Sequence, residues 1–146
     1  MAEIAQTLDR ELTELLRRRG QRVTPQRLVL HRVLRERDTH VTAEEALHAV
    51  GDRLPNVSLP TIYATLELFE DLGLVRRVAM EGGPSLFDSR TEEHNHVACR
   101  RCGRVEDIEG GVDDARVRRA ARAAGYEPER TDVVVVGLCS DCASVL

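Results

Sequence analysis

The sequence predicts an α+β protein with two parts, an N-terminal unit of helices and a β-hairpin and a smaller C-terminal α/β unit. Three observations predict it. Four amphipathic helical patterns open the chain, two short strand patterns joined by a turn follow them, and a run of four valines lies between two Cys-x-x-Cys pairs. A chain of 146 residues, 42% of them hydrophobic, can form one ordinary domain or two small ones.

The first two helices follow from apolar spacing and from signals at their ends. Residues 3–19 carry isoleucine and leucine at helical intervals, and Gly20 is a suitable stop. Thr24 is placed to cap a second helix whose first residue is Pro25. Arginines 17–19 crowd the end of the first helix, where they are either solvated or in contact with phosphates.

The third and fourth helices each begin at a hydroxyl cap. Thr42 caps the third, and Glu45 completes a capping box. The short segment before Thr42 holds His40 and is interpreted as a loop. Ser58 caps the fourth helix, which has an apolar stripe of Ile62, Leu66, Phe69 and Leu72 and three side chains that point elsewhere, Thr61, Tyr63 and Thr65.

A β-hairpin is predicted next, with strand patterns at 74–79 and 85–88 around a turn at 81–84. Helices followed by a hairpin are the order of a winged helix-turn-helix unit, whose last helix enters the DNA major groove. In that arrangement Thr61 and Tyr63 face DNA, and the arginines that could reach phosphates are Arg22, Arg27, Arg76 and Arg77. The alternative for this segment is an ordinary surface helix with a polar face.

The C-terminal unit begins with two short strands, at 97–98 and 104–108, around a Cys-x-x-Cys turn. Residues 112–124 are rich in alanine and arginine and are predicted to be helical. Valines 133–136 form a continuous apolar run typical of a strand buried on both faces. Buried edges in so small a unit indicate pairing with a second copy.

Four cysteines have the spacing of a zinc site. Cys99 and Cys102 form one Cys-x-x-Cys pair, and after 36 residues Cys139 and Cys142 form another. The two-residue gap lets two sulfurs converge on one tetrahedral ion. Four reduced thiols or a redox dithiol are the alternatives. An all-sulfur tetrahedral site has no open position, so it would stabilise the fold rather than catalyse a reaction.

A second metal site is indicated by His94 and His96, which would share one face of a strand. The nearby carboxylates belong to Asp88, Glu92, Glu93, Glu106 and Asp107. Nitrogen and carboxylate ligands without sulfur suit Fe(II), Mn(II), Zn(II) or Ni(II).

Composition narrows the class of protein. No apolar run approaches the ~20 residues of a membrane span, and no secretory signal opens the chain, so we expect a cytoplasmic protein that does not associate with membranes. In that compartment cysteines serve more often as metal ligands than in disulfides. The net charge of −4 argues against a nonspecific nucleic-acid coat but not against DNA binding.

The chain resembles the ferric uptake regulator family over nearly its whole length. The resemblance is carried by Thr24-Pro25-Gln26-Arg27, by Ser58-x-x-Thr61-Ile62-Tyr63-x-x-Leu66, by His94-x-His96-x-x-Cys99-x-x-Cys102-Gly103 and by Cys139-x-x-Cys142. It implies a homodimeric, metal-dependent repressor that binds a double-stranded DNA operator. It also implies a winged-helix domain (1–84), a hinge (85–93) and a dimerisation and metal-binding domain (94–146) with a structural zinc site.

The resemblance further implies a regulatory site for Fe(II) or Mn(II), with zinc as a possible substitute. Matched by position, its ligands are His40, Asp88, His94, His96 and Asp107. Aspartate at both 88 and 107 is similar to the peroxide-sensing branch, in which His40 and His94 would be the oxidised residues. Regulators that sense iron, zinc, manganese or nickel are the alternatives within the family. The positions of a third family site depart from the pattern, so no third metal is expected.

Two hypotheses from other classes stay open on the residues alone. One is a metalloenzyme that uses the His/Asp site, although no general base or pocket signature accompanies it and we predict no enzyme activity. The other is a zinc-stabilised interaction module without DNA affinity.

Overall fold

The computed structural model describes residues 1–37, 40–78, 80, 82–92 and 94–145. The chain divides into two compact units, residues 1–91 and residues 92–146. Ala79, Glu81 and Glu93, which belong to the predicted strand, turn and carboxylate group, lie outside the described residues. None of the helices in the described ranges has both the length and the hydrophobicity that a membrane span requires.

The first unit contains the four predicted helices, α1 (Ala2–Arg18), α2 (Pro25–Arg37), α3 (Ala43–Gly51) and α4 (Leu59–Asp71). The predicted caps form at α3 and α4. The backbone N–H of Glu45 donates to Thr42 Oγ1 at 3.1 Å, and that of Thr61 donates to Ser58 Oγ at 3.4 Å. These bonds satisfy N–H groups that a helix leaves unpaired in its first turn.

The core of the first unit is formed by all four helices together with two short strands, His40–Thr42 and Leu86–Asp88. Its fully buried side chains include Leu12, Leu16, Leu30, Val33, Val50, Ile62, Leu66, Phe69 and Phe87. Thr65 corrects an expectation, because it is buried and donates its hydroxyl to the Thr61 carbonyl at 2.8 Å. A hydroxyl bonded to the preceding turn can be buried without an unpaired donor, which the apolar spacing could not reveal.

A three-stranded antiparallel sheet completes the first unit. Its strands are β1 (His40–Thr42), β2 (Arg76–Val78) and β3 (Leu86–Asp88), in the order β1-β3-β2. The predicted hairpin is β2–β3. The interpretation of His40 as a loop residue is wrong, because it opens β1 and pairs with Asp88. A strand of three residues is too short to show alternation in a sequence.

The second unit is a small α/β structure. Its elements are β4 (Asn95–Cys99), β5 (Val105–Ile108), α5 (Ala115–Ala123), β6 (Val134–Gly137) and α6 (Ser140–Ala143). The sheet order is β5-β4-β6, with β5 antiparallel and β6 parallel to β4. The predicted helix at 112–124 is shorter than expected and begins at Ala115.

Strand β6 is not buried on both faces as the valine run predicted. Val135 is 50% exposed and Val136 56% exposed. The reason is that β6 forms an edge of a sheet of only three strands, and that α5 buries none of its own residues. Within the described residues of one chain, this apolar strand is therefore left open.

Candidate metal centres and nucleic-acid interface

Four sulfurs come together in the second unit because two strands run side by side. Cys99 ends β4 and pairs in register with Gly137 of β6, and this register brings Cys139 to the Cys99–Cys102 turn. The four Sγ atoms lie within 4.8 Å of one another, and those of Cys102 and Cys139 are 3.8 Å apart. Two sulfurs bound to one tetrahedral zinc at 2.3 Å would stand about 3.8 Å apart.

The electrostatics of this cluster favour a cation. Cys139 donates its backbone N–H to Cys99 Sγ at 3.4 Å. Backbone N–H groups of Cys102, Cys139 and Arg101 lower the pKa of the Cys99 thiol to about 5. Hydrogen bonding to the Cys139 sulfur and burial raise the pKa of Cys142 to about 12. A divalent ion would replace the protons that the sulfurs share, so the donor set fits a structural zinc ion.

Two arginines also connect the two cysteine turns, through contacts that do not involve sulfur. The Cys-x-x-Cys motif does not predict these contacts. Arg101 donates from Nη1 to the Cys142 carbonyl at 3.2 Å, and Arg104 Nη2 lies 3.1 Å from Asp141 Oδ2. Both contacts are exposed, so each contributes little to stability. Both contacts join the turn that holds Cys102 to the segment that holds Cys142.

The first unit supplies two of the predicted regulatory ligands. His40 and Asp88 are cross-strand partners, with His40 Nε2 3.4 Å from Asp88 Oδ2. Asp88 is 2% exposed, and its other oxygen, Oδ1, accepts the backbone N–H of Arg90 at 2.8 Å. One carboxylate oxygen is thus fixed by the backbone while the other faces the imidazole.

The second unit supplies the other three ligands. Asp107 Oδ1 lies 3.3 Å from Nε2 of His96, its cross-strand partner, and 3.5 Å from Nε2 of His94. The ring centres of His94 and His96 are 4.6 Å apart, and both side chains are buried. Nδ1 of His94 is 2.7 Å from the Glu92 carbonyl. A carbonyl can only accept, so Nδ1 carries the proton and the lone pair is on Nε2.

These separations are those of ligands around one ion. Two donors each about 2.1 Å from an ion stand roughly 3.4 Å apart at a tetrahedral angle. Imidazole and carboxylate donors suit iron, manganese or zinc. Each unit therefore presents imidazole and carboxylate donors at the spacing of metal ligands.

The predicted DNA-contacting residues separate into two groups. Thr61 and Tyr63 are exposed on α4, and Tyr63 is 40% exposed. Arg27 donates from Nη1 to the Arg22 carbonyl on the surface at the start of α2. Arg76, by contrast, is buried, and Arg77 forms an ion pair with Glu70 of α4. Arg76 is 8% exposed, and the side chain of Arg77 is 35% exposed.

Comparison with known proteins identifies one family along most of the chain. The sequence profile of the Ferric uptake regulator family matches residues 18–136. The peroxide-responsive repressor PerR of Staphylococcus epidermidis is 32% identical over 145 residues, which cover 97% of this chain and 97% of that one. These relatives are regulators and repressors rather than enzymes.

Two solved structures give the same result for the fold. The ferric uptake regulator of Pseudomonas aeruginosa with manganese has a TM-score of 0.67 at 27% identity, covering 88% of this chain and 97% of that chain. The Helicobacter pylori regulator Fur has a TM-score of 0.76 at 18% identity, covering 95% and 93%, and shows the fold alone. The family profile spans most of the chain, and the chain therefore belongs to the ferric uptake regulator family.

Proposed function

We propose that this protein is a metal-dependent transcriptional repressor that binds a DNA operator as a homodimer in the cytoplasm. The observation that carries the proposal is the placing of imidazole and carboxylate donors on paired strands in each unit, at His40–Asp88 and at His96–Asp107. Imidazole and carboxylate donors grouped at such short distances are the ligands that Fe(II), Mn(II) and Zn(II) take in proteins.

The regulatory ion would take His40 and Asp88 from the first unit and His94, His96 and Asp107 from the second. An ion that takes ligands from both units restricts how they can be arranged, and it shifts the population toward the arrangement that it binds more tightly. A preference of about 100-fold corresponds to roughly 3 kcal/mol of differential binding, which a few ligand contacts can supply.

The chain's own residues prepare this site. The Glu92 carbonyl fixes the tautomer of His94, and the Arg90 backbone N–H fixes one oxygen of Asp88. Such groups orient metal ligands and reduce the entropy lost on binding. The four cysteines would hold the structural zinc ion separately.

The DNA interface would lie on α4 and near the start of α2. Thr61 and Tyr63 would reach bases in the major groove, and Arg22 and Arg27 would contact phosphates. The structure supports this by leaving Thr61 and Tyr63 exposed while the opposite face of α4 is buried. Replacement of Tyr63 by alanine should therefore weaken operator binding.

The dimer interface would include the open apolar strand β6. Val135 and Val136 are exposed at the sheet edge, together with Val117 of α5 and Tyr126. An apolar edge strand pairs readily with another chain, and a second copy would cover it.

Peroxide is the signal that we propose. The support is the 32% identity to a peroxide-responsive repressor along nearly the whole chain, together with aspartate at both positions 88 and 107. Fe(II) bound at this site would activate peroxide, so that one peroxide oxygen is added to an imidazole, which supplies the two electrons, and the other leaves as water. The imidazoles of His40 and His94 would be the groups oxidised.

The test is operator binding by the purified protein with Mn(II), Fe(II), Zn(II) or no added metal, each with and without peroxide. Loss of binding only with Fe(II) and peroxide, with one oxygen added to His40 or His94 by mass spectrometry, is the expected result. Failure to bind DNA with any metal would overturn the proposed function.

Iron- or manganese-responsive repression is the second candidate. It is favoured by the similarity to the Pseudomonas aeruginosa regulator with manganese. In this case binding would require the metal but would be insensitive to peroxide in the Fe(II) sample, so the same experiment separates the two candidates.

A further inference from the structure

Arg77 joins three elements of the first unit through one side chain. Its Nε lies 3.2 Å from Glu70 Oε2, and its Nη2 lies 3.9 Å from Glu67 Oε1, both on α4. Its guanidinium carbon lies 5.1 Å from the ring centre of Phe87, its cross-strand partner in β3. The hairpin β2–β3 and the C-terminal half of α4 are therefore connected at this residue.

The contact is less exposed to solvent than an ordinary surface ion pair. The side chains of Arg77 and Glu70 are 35% and 31% exposed, and the ring of Phe87 is fully buried. An aromatic ring on one side of a guanidinium excludes water and adds a cation–π attraction. The pair with Glu67 is long and that carboxylate is 66% exposed, so Glu70 is the main partner.

The charges on α4 make the role of Arg77 testable. The exposed N-terminal part of the helix carries Thr61 and Tyr63, whereas its C-terminal half carries Glu67, Glu70 and Asp71. Carboxylates on a surface that approaches DNA repel phosphates. Removal of an acid from this half of the helix should therefore strengthen DNA binding, unless that acid has another role.

We propose that Arg77 is a positioning residue that holds the hairpin against α4 through Glu70 and Phe87, and that it is not a phosphate contact. The inference rests on the proposed DNA-binding function and specifies how the hairpin is held beside the reading helix. Loss of either charge in the pair loosens the contact of β2 with α4 and weakens DNA binding, although the carboxylate of Glu70 would by itself repel phosphates.

The first test compares Glu70→Gln with Asp71→Asn as a matched control. Asp71 lies next to Glu70 on the same helix and shows no ion pair among the described residues. The probe is a duplex selected from a random-sequence pool by the Mn(II)-loaded wild-type protein. Glu70→Gln should weaken binding by about fivefold or more, whereas Asp71→Asn should leave it unchanged or slightly tighter. Tighter binding by Glu70→Gln would overturn the inference.

The second test exchanges the charges. Arg77→Glu alone should weaken binding by about tenfold or more, and the double variant Glu70→Arg with Arg77→Glu should recover most of the affinity. If the double variant stays as weak as Arg77→Glu, Arg77 acts on DNA directly and the inference is wrong. A lower melting temperature with unchanged DNA affinity would also overturn it, since the pair would then only stabilise the fold.

A third measurement needs no DNA. Amide hydrogen exchange of β2 and β3 should be about fivefold faster in Arg77→Gln and Glu70→Gln than in the wild type, and unchanged in Asp71→Asn. Faster exchange in a protein that binds no duplex would support the contact while the proposed function fails. Unchanged exchange would overturn the inference whatever the DNA measurements show.

Discussion

His31 is a buried histidine whose environment suppresses its charge. It is 4% exposed on α2, and its ring lies edge-on to Phe69 with the ring centres 6.0 Å apart. Burial and then the nearby charge of Arg35 lower the pKa of His31 to about 4, although the charge of Asp9 opposes them. The side chain is therefore neutral in the folded protein at neutral pH.

This residue should make stability depend on pH. An unfolded histidine binds its proton near pH 6.5, so between pH 6.5 and about 4 the unfolded chain holds more protons than the folded one. The stability that His31 contributes is fully present above pH 6.5. It is lost as the pH falls toward 4, and the total loss approaches about 3 kcal/mol.

The measurement is urea unfolding of the wild type and of His31→Gln from pH 7.5 to 4. Subtracting the unfolding free energy of His31→Gln from that of the wild type removes the contributions of the carboxylates and cysteines that both proteins share. The difference in unfolding free energy should fall with decreasing pH, whatever its value at pH 7.5. A difference that does not change with pH would show that His31 keeps an ordinary pKa.

At the scale of the element, helix α3 depends on its first turn. It has only nine residues, and Thr42 Oγ1 accepts the backbone N–H of Glu45. Short helices are marginal without caps and packing. Thr42→Ala should lower the free energy of unfolding of the first unit by about 1 kcal/mol. Thr42→Ser keeps the hydroxyl, so its free energy of unfolding should fall much less. If both variants lower the melting temperature equally, the methyl group of Thr42 stabilises the helix, and the hydrogen bond to its hydroxyl does not.

Strand β6 makes a prediction about assembly. If a second copy covers the exposed Val135 and Val136, a charge placed there should break the dimer because it would be buried without a partner. Val136→Glu should sediment as a monomer at micromolar concentration, with unchanged zinc content. The control is Val145→Glu, at an exposed valine outside the sheet. A dimeric Val136→Glu protein would place the interface elsewhere.

For the whole molecule, the two units differ in what stabilises them. The residues of the continuous apolar core all lie in the first unit. In the described part of the second unit, the buried apolar residues are Ala98 and Cys99. So small a core cannot offset the entropy of ordering the unit, whereas zinc bound by four thiolates contributes on the order of 10 kcal/mol.

Removal of zinc should therefore unfold one unit and spare the other. In Cys139→Ser, or after chelation under reducing conditions, amides of β4, β5 and β6 should lose protection from hydrogen exchange. Amides of α2 and α4 should keep theirs. Protection of β4–β6 without zinc would mean that the arginine contacts and the sheet suffice to fold the second unit.

Local signals in the sequence were enough to place the helices. Leu66 and Phe69 recur at helical spacing, and Thr42 and Ser58 provide caps, so these elements follow from neighbours along the chain. Strand β1 could not be predicted, because three residues show no alternation and its pairing partner, β3, lies more than forty positions away. The exposure of Val136 was also missed, since an apolar run does not show whether the chain itself covers it.

The four-cysteine set could be predicted from the chain alone, since the Cys-x-x-Cys spacing brings sulfurs together over one turn. His94 and His96 could be placed on one face of a strand in the same way, whereas His40 was included only through the family resemblance. The sequence by itself also determined the order of helices and hairpin. Three contacts became known only from the folded chain: His40 faces Asp88 across a strand pair, the Glu92 carbonyl orients His94, and Arg77 lies against Glu70. The reason is that these contacts join residues through strand register and backbone groups, which side-chain patterns along the chain do not encode.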